Sequence, residues 1–135
     1  MRRPPAAEPG GEAGSAVVDF VLVTALLLVV FLVVAQAGVV LHTRNVLVAA
    51  AAEGARHGAN ADRTPEQGVA RTREVVSDAL SPQRAAALEV TPSDTVTDEG
   101  LATLQIEVTS PLPVVFLPVG PLRITVRGHA LQEGG

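Results

Sequence analysis

Asp19 is the one ionisable side chain between Gly14 and His42, and it stands at the mouth of a long apolar run. Gly14 lies five residues before it and Phe20 follows directly. An ionisable group inside a membrane-spanning segment costs about 2.5 to 3.5 kcal/mol at mid-helix and less near an end. Such a group marks the interface where a helix begins, or it meets a positive charge supplied by another subunit. In either case Asp19 does its chemistry by charge and position.

The other reactive side chains do not converge on a reaction. His42, His57 and His129 fall on different segments, none with a Cys or His at metal-ligand spacing. Asp94, Asp98 and Glu99 before Gly100 lack the spacing of a calcium loop and read as a solvated turn. No serine sits in a nucleophile motif, and no glycine-rich phosphate loop follows a strand. Cysteine is absent, which removes disulfides, thiolate chemistry and Cys-based metal sites. The expectation is a protein that is not an enzyme and needs no cofactor.

The element that positions Asp19 is residues 15–41, SAVVDFVLVTALLLVVFLVVAQAGVVL. From Phe20 to Ala35 the sole polar residue is Thr24. A helix crosses the hydrocarbon core with about 20 mainly apolar residues. This run is long enough, and it is apolar all round rather than along one stripe, as a helix surrounded by lipid must be. Residues 1–14, MRRPPAAEPGGEAG, have no apolar period and read as a disordered leader. Arg2 and Arg3 favour a cytoplasmic N-terminus, though Glu8 and Glu12 dilute that signal.

A glycine followed by an acid and an aromatic, all leading into an apolar helix, resembles the class III signal of type IV pilins. The stretch from Gly14 through GSAVVDFVLV, with NVLVAAAAEGAR from Asn45 to Arg56, is similar to the TadE-like pseudopilins of tight-adherence (Flp, type IVb) pilus systems. That resemblance implies a prepilin peptidase cutting between Gly14 and Ser15. It also implies that Asp19, with Phe20 beside it, pairs with the N-terminal amine of a neighbouring subunit. The family usually carries Glu at this place and basic residues before the glycine; here stand Asp19, one methylene shorter, and Glu12-Ala13. The implied partners are the lipid bilayer, the peptidase, other pilins and the pilus assembly platform. The implied location is the cell membrane, single-pass, with the C-terminal domain extracytoplasmic.

A rival signal sits at the far end of the same run. Ala35-Gln36-Ala37 before Gly38 is a small-x-small pattern of the kind signal peptidase I cuts. That reading leaves a secreted soluble domain, and a plain membrane-anchored binding module is the other alternative to a pilus role.

Residues 42–135 form the remaining domain. From His42 to Ala59 the helix continues, giving a stalk of about 68 Å from Ser15 at 1.5 Å per residue. Gly54 and Gly58 form a G-x-x-x-G that lets another helix approach closely. Thr64-Pro65-Glu66-Gln67 has an N-cap, a proline at the first helical position and a capping-box partner, starting a second helix that runs to about Leu80. Its expected inner side is Val69, Val76, Ala79 and Leu80. Ser81-Pro82 stops it or opens a further turn through Ala87.

After Leu88 the apolar period becomes two. Leu88 and Val90, then Leu104, Ile106 and Val108, then Ile124 and Val126 alternate with polar residues, which predicts three half-buried strands. The fold class is α+β and pilin-like: a long N-terminal transmembrane helix extending into a stalk, an amphipathic second helix and a small antiparallel three-stranded sheet. Residues 111–121, PLPVVFLPVGP, are too proline-rich for a regular element and too apolar for a solvated loop. They fold back over the sheet, or touch the membrane surface or a partner. The net charge of −4, without a basic cluster and with Arg as the only cationic residue besides His, argues against a nucleic-acid surface.

Overall fold

A computed structural model of the chain describes residues 2–3, 10–117, 120 and 122–133. Six elements follow in order. Helices α1 (Gly10–Ala59), α2 (Pro65–Ala79) and α3 (Pro82–Ala86) precede strands β1 (Glu89–Val96), β2 (Ala102–Pro111) and β3 (Arg123–Leu131). The sheet is antiparallel in the order β1-β2-β3. The α+β architecture expected from the apolar periods is the one observed.

Helix α1 is 50 residues long and unbroken, about 75 Å at 1.5 Å per residue. It starts at Gly10, not at Ser15. Of the leader expected to be disordered, residues 4–9 lie outside the described residues and 10–14 are helical. No proline falls between Gly10 and Gly14, and Glu12 in the first turn complements the positive end of the helix dipole, although the glycines there are weak helix formers.

The character of α1 changes along its length. From Gly14 to Phe31 every described residue is exposed. Further on, a buried stripe appears at Gln36, Thr43, Leu47, Ala50, Ala51, Gly54, Ala55, Gly58 and Ala59, the three-to-four spacing of one helical face. The stalk is therefore the half that carries the core. Leu47, Ala50, Ala51 and Ala55 are fully buried against Val76 of α2 and against Ile106, Val108, Ile124 and Val126 of the sheet.

Helix α2 begins as the sequence dictates. Thr64 Oγ1 accepts from the Gln67 amide at 3.3 Å, and the Gln67 side chain accepts from the Thr64 amide at 3.0 Å. Its buried stripe, however, is Gly68, Thr72 and Val76. Val69 and Leu80 are only half-buried and Ala79 is exposed. The shift arises because α2 packs against α1 through glycines rather than large apolar residues, and Thr72 enters the contact by donating its hydroxyl to the Gly68 carbonyl at 2.9 Å. Ser81 caps α3, accepting from the Arg84 amide at 3.2 Å. Arg73 then ties α2 to the end of this turn, donating to the Ala85 and Leu88 carbonyls at 2.9 and 3.0 Å.

The sheet turns Leu104, Ile106, Val108, Ile124 and Val126 inward. Its other face carries polar cross-strand pairs: Glu107 with Arg127 at 2.7 Å, Gln105 with His129 at 2.7 Å and Thr109 with Thr125 at 3.1 Å. Gly128 of β3 sits against the backbone of α1, and a Cβ there would overlap Ala51 and Ala52 main-chain atoms. Backbone cannot yield as a flexible side chain does. Gly128→Ala is therefore expected to lower the stability of the domain by about 3 kcal/mol or more, at the upper end of overpacking costs. Chemical unfolding in detergent micelles, followed by circular dichroism, measures this; an unchanged midpoint would refute the close contact.

Candidate functional site

Two places on α1 are candidate sites, one at each end of its exposed apolar stretch. The first is Gly14, Ser15, Asp19 and Phe20. All four are exposed, Phe20 at 72%. Asp19 has no ion pair among the described residues. Around and beyond it Val17, Val18, Val21, Leu22 and Val23 are more than half exposed. The Gly14–Ser15 bond lies inside α1.

The second place is Gln36, which is 5% exposed although it interrupts an apolar run. Its amide nitrogen donates to the Pro113 carbonyl at 2.5 Å. Its amide oxygen accepts from the Val115 and Phe116 backbone N–H groups at 3.2 and 3.1 Å. One side chain thus closes three backbone polar groups of the proline-rich segment, 77 to 80 residues away in sequence. Leu112 is bonded separately to the Leu122 carbonyl at 2.8 Å. The described part of the segment is held to α1 by Gln36 while Leu112 packs on the domain core, with Pro113 buried and Val114, Val115 and Phe116 exposed at 49, 53 and 44%. Residues 118, 119 and 121 of this segment lie outside the described residues.

In the sequence Gln36 stands out as the middle of Ala35-Gln36-Ala37 and as an interruption of the apolar run. The available signal was a lone amide in a lipid-length run, a group that has to find partners when it leaves water. Its partners could not be read from the chain.

Gly54 and Gly58 face α2. Added Cβ atoms would meet Thr72 and the Gly68 carbonyl at the first, and Leu104 and the Gly68 Cα at the second. The close approach is with α2 of the same chain. His57 lines a shallow depression of about 360 Å³ with Glu53, Gln67, Ala70, Arg71 and Glu74. Arg71 there is bridged to Glu74 at 3.2 Å and Glu53 at 3.5 Å. The hydrogen bond and charge of Glu74, with Glu53 behind, raise the Arg71 guanidinium above its ordinary value. His42 is exposed and His129 is bonded to Gln105. Asp94 lies within β1 opposite Leu104 rather than in the turn with Asp98, Glu99 and Gly100, and it accepts from Gln132 at 2.6 Å; no three His, Asp or Glu side chains cluster as metal ligands among the described residues.

The apolar stretch defines a class first: α1 is one helix long and apolar enough to cross a membrane, and none of its most apolar window is buried by the rest of the chain. This is the form of a single-pass membrane anchor. The family model described as TadE-like protein matches residues 14–56, from the glycine before Asp19 through the Ala-rich, core-forming half of α1. That match makes the chain similar to a pilus-associated protein of the Tad type. No curated protein and no solved structure matches the chain.

Gln36→Leu removes all three bonds to residues 113–116 while keeping the helix apolar. The Val115 and Phe116 amides should then exchange with solvent at least about tenfold faster, since unpairing such groups costs about 1 to 3 kcal/mol. The Ile106 amide in β2 should be unaffected. Hydrogen exchange by NMR or mass spectrometry reads both.

Proposed function

We propose that this protein is a TadE-like pseudopilin or minor pilin that takes part in assembling a tight-adherence (type IVb) pilus or a related secretion apparatus. It acts by packing, not by catalysis. The observation that carries the reading is that the family match begins at Gly14 and runs through Asp19 and the whole exposed part of α1.

The mechanism follows from the exposed helix. In the bilayer, residues 15–35 are solvated by lipid. On assembly the same surface is covered by the helices of neighbouring subunits, and Asp19 leaves the interface for an apolar bundle. A buried charge without a partner is strongly unfavourable, whereas a pair with good geometry is tolerated. The N-terminal amine of the adjacent subunit supplies the partner and fixes the register of one helix on the next. Cleavage after Gly14 by a prepilin peptidase creates that kind of amine. Gly10, Gly11 and Gly14 hold this end of α1 weakly, because each glycine costs a helix about 1 kcal/mol relative to alanine, so the bond can unwind into a peptidase. The C-terminal domain then stands outside the cytoplasm.

The continuous helix argues against removal of residues before Gly38. Cutting there would separate Gln36 from Pro113, Val115 and Phe116, which it holds.

The N-terminal residue and intact mass of the protein from membranes of its native host test the reading. A chain beginning at Ser15 is expected. A start at Gly38 would mean a secreted domain, and retention of residues 1–14 a plain anchor; either result overturns the processing step. In a second test, Asp19→Ala should insert into the membrane as before but fail to co-purify with the assembled apparatus. Normal incorporation would sink the charge-pairing mechanism.

A further inference from the structure

The proline-rich segment is built for a medium other than water. Val114, Val115 and Phe116 are half exposed and consecutive, and Leu122 beside them is 55% exposed. Apolar side chains alone do not make a membrane contact, because a backbone entering the bilayer boundary must bring its polar groups already paired. Here Pro111 and Pro113 have no N–H to satisfy, and three of the five amides in residues 112–117, those of Leu112, Val115 and Phe116, are bonded, so the backbone is largely paired. The Pro113 carbonyl is bonded as well.

The level of the segment along α1 is fixed by Gln36. A spanning helix needs about 20 residues, so a span that begins at Ser15 or Asp19 ends between about residues 35 and 39. Gln36 lies in that interval. At the same level α1 loses its full exposure, with Leu32 and Ala35 half-buried. The apolar surface of the segment is thus continuous with the lipid-facing surface of the helix. Arg84 lines a hollow of about 320 Å³ together with Ser110, Pro111, Leu112, Pro113 and Val114. A cation beside apolar side chains suits the phosphate layer above the acyl chains.

We propose that residues 112–117, held against α1 by Gln36, are a second membrane contact. Val114, Val115 and Phe116 enter the boundary between headgroups and acyl chains of the leaflet from which α1 emerges. The proposal rests on the membrane-anchor reading of α1. With two points of attachment, the domain has a fixed height and rotation on the bilayer, where a single helix would leave it free to swivel. The sheet and α2 then face away from the membrane in one orientation.

The chain has no Trp and no Tyr, so a single introduced Trp is a unique fluorophore. The full chain carrying Phe116→Trp is reconstituted at low protein density in phosphatidylethanolamine–phosphatidylglycerol vesicles containing phosphatidylcholine brominated on its acyl chains. Phe31→Trp, in the exposed helix, reports the span itself. Val96→Trp, at the opposite end of the sheet and 70% exposed, reports the aqueous side. The bromines should remove roughly half of the Phe116→Trp emission, as expected for a ring 5–10 Å into the boundary, and acrylamide should have little effect. Val96→Trp should show the reverse.

If Phe31→Trp is quenched by bromine but Phe116→Trp by acrylamide alone, the loop contact is overturned and the anchor stands. If neither agent reaches Phe116→Trp, protein covers it and the proposal fails. If bromine does not reach Phe31→Trp, both readings fail together. Adding Gln36→Leu to Phe116→Trp should lower the bromine quenching and raise that by acrylamide; no change would overturn the role of Gln36 in the contact.

Discussion

One uninterrupted helix serves two solvents, and the rest of the structure answers to that constraint. From Gly14 to Phe31, the residues of α1 are exposed. From Gln36 it supplies the central face of a folded domain. The domain side needs close approach more than bulk, and small residues provide it. Ala50, Ala51, Gly54, Ala55 and Gly58 let α2 and β3 come down onto the helix backbone, with Gly68 and Gly128 answering from the other side. A core with no tryptophan or tyrosine holds together by this proximity and by a few aliphatic side chains such as Leu47, Ile106 and Val108.

Gln36 stands where the two regimes meet. An amide there would be unfavourable in lipid and wasteful in a core unless all its capacity were used. It binds one carbonyl and two amides of a distant segment, which turns an awkward residue into the fastening between anchor and domain. Together with the exposed Asp19 at the other end, the apolar helix is bracketed by two polar groups of different kind. Gln36 is satisfied within its own chain. Asp19 has no ion partner among the described residues, which suits a group whose partner arrives with another subunit.

This division also gives the proposed assembly step a physical form. Exchange of lipid for neighbouring helices around the exposed stretch of α1 requires no change in the domain, because that stretch contributes nothing to the domain's core. The outer sheet face carries a ladder of exposed polar pairs, Glu107–Arg127, Gln105–His129 and Thr109–Thr125, and takes no part in the apolar surface of α1.

Local signals settled much of this fold in advance. The apolar run, the Thr64–Gln67 capping box, the break before it and the period-two alternation of three strands are all written in neighbouring residues, and short-range physics carries them out. So is the glycine-acid-aromatic junction at which the match to the TadE-like family model begins. Other features depended on residues far apart in sequence. Nothing in the chain says that Gln36 will meet Pro113 and Phe116, or that Thr72, a polar residue, will replace Ala79 on the inner side of α2. Nor does it say that Gly54 and Gly58 will receive Gly68 of the same chain. Periodicity reports which residues prefer to leave water; which surfaces then meet, and which polar groups they pair, is decided only when the helices and sheet pack at one set of distances.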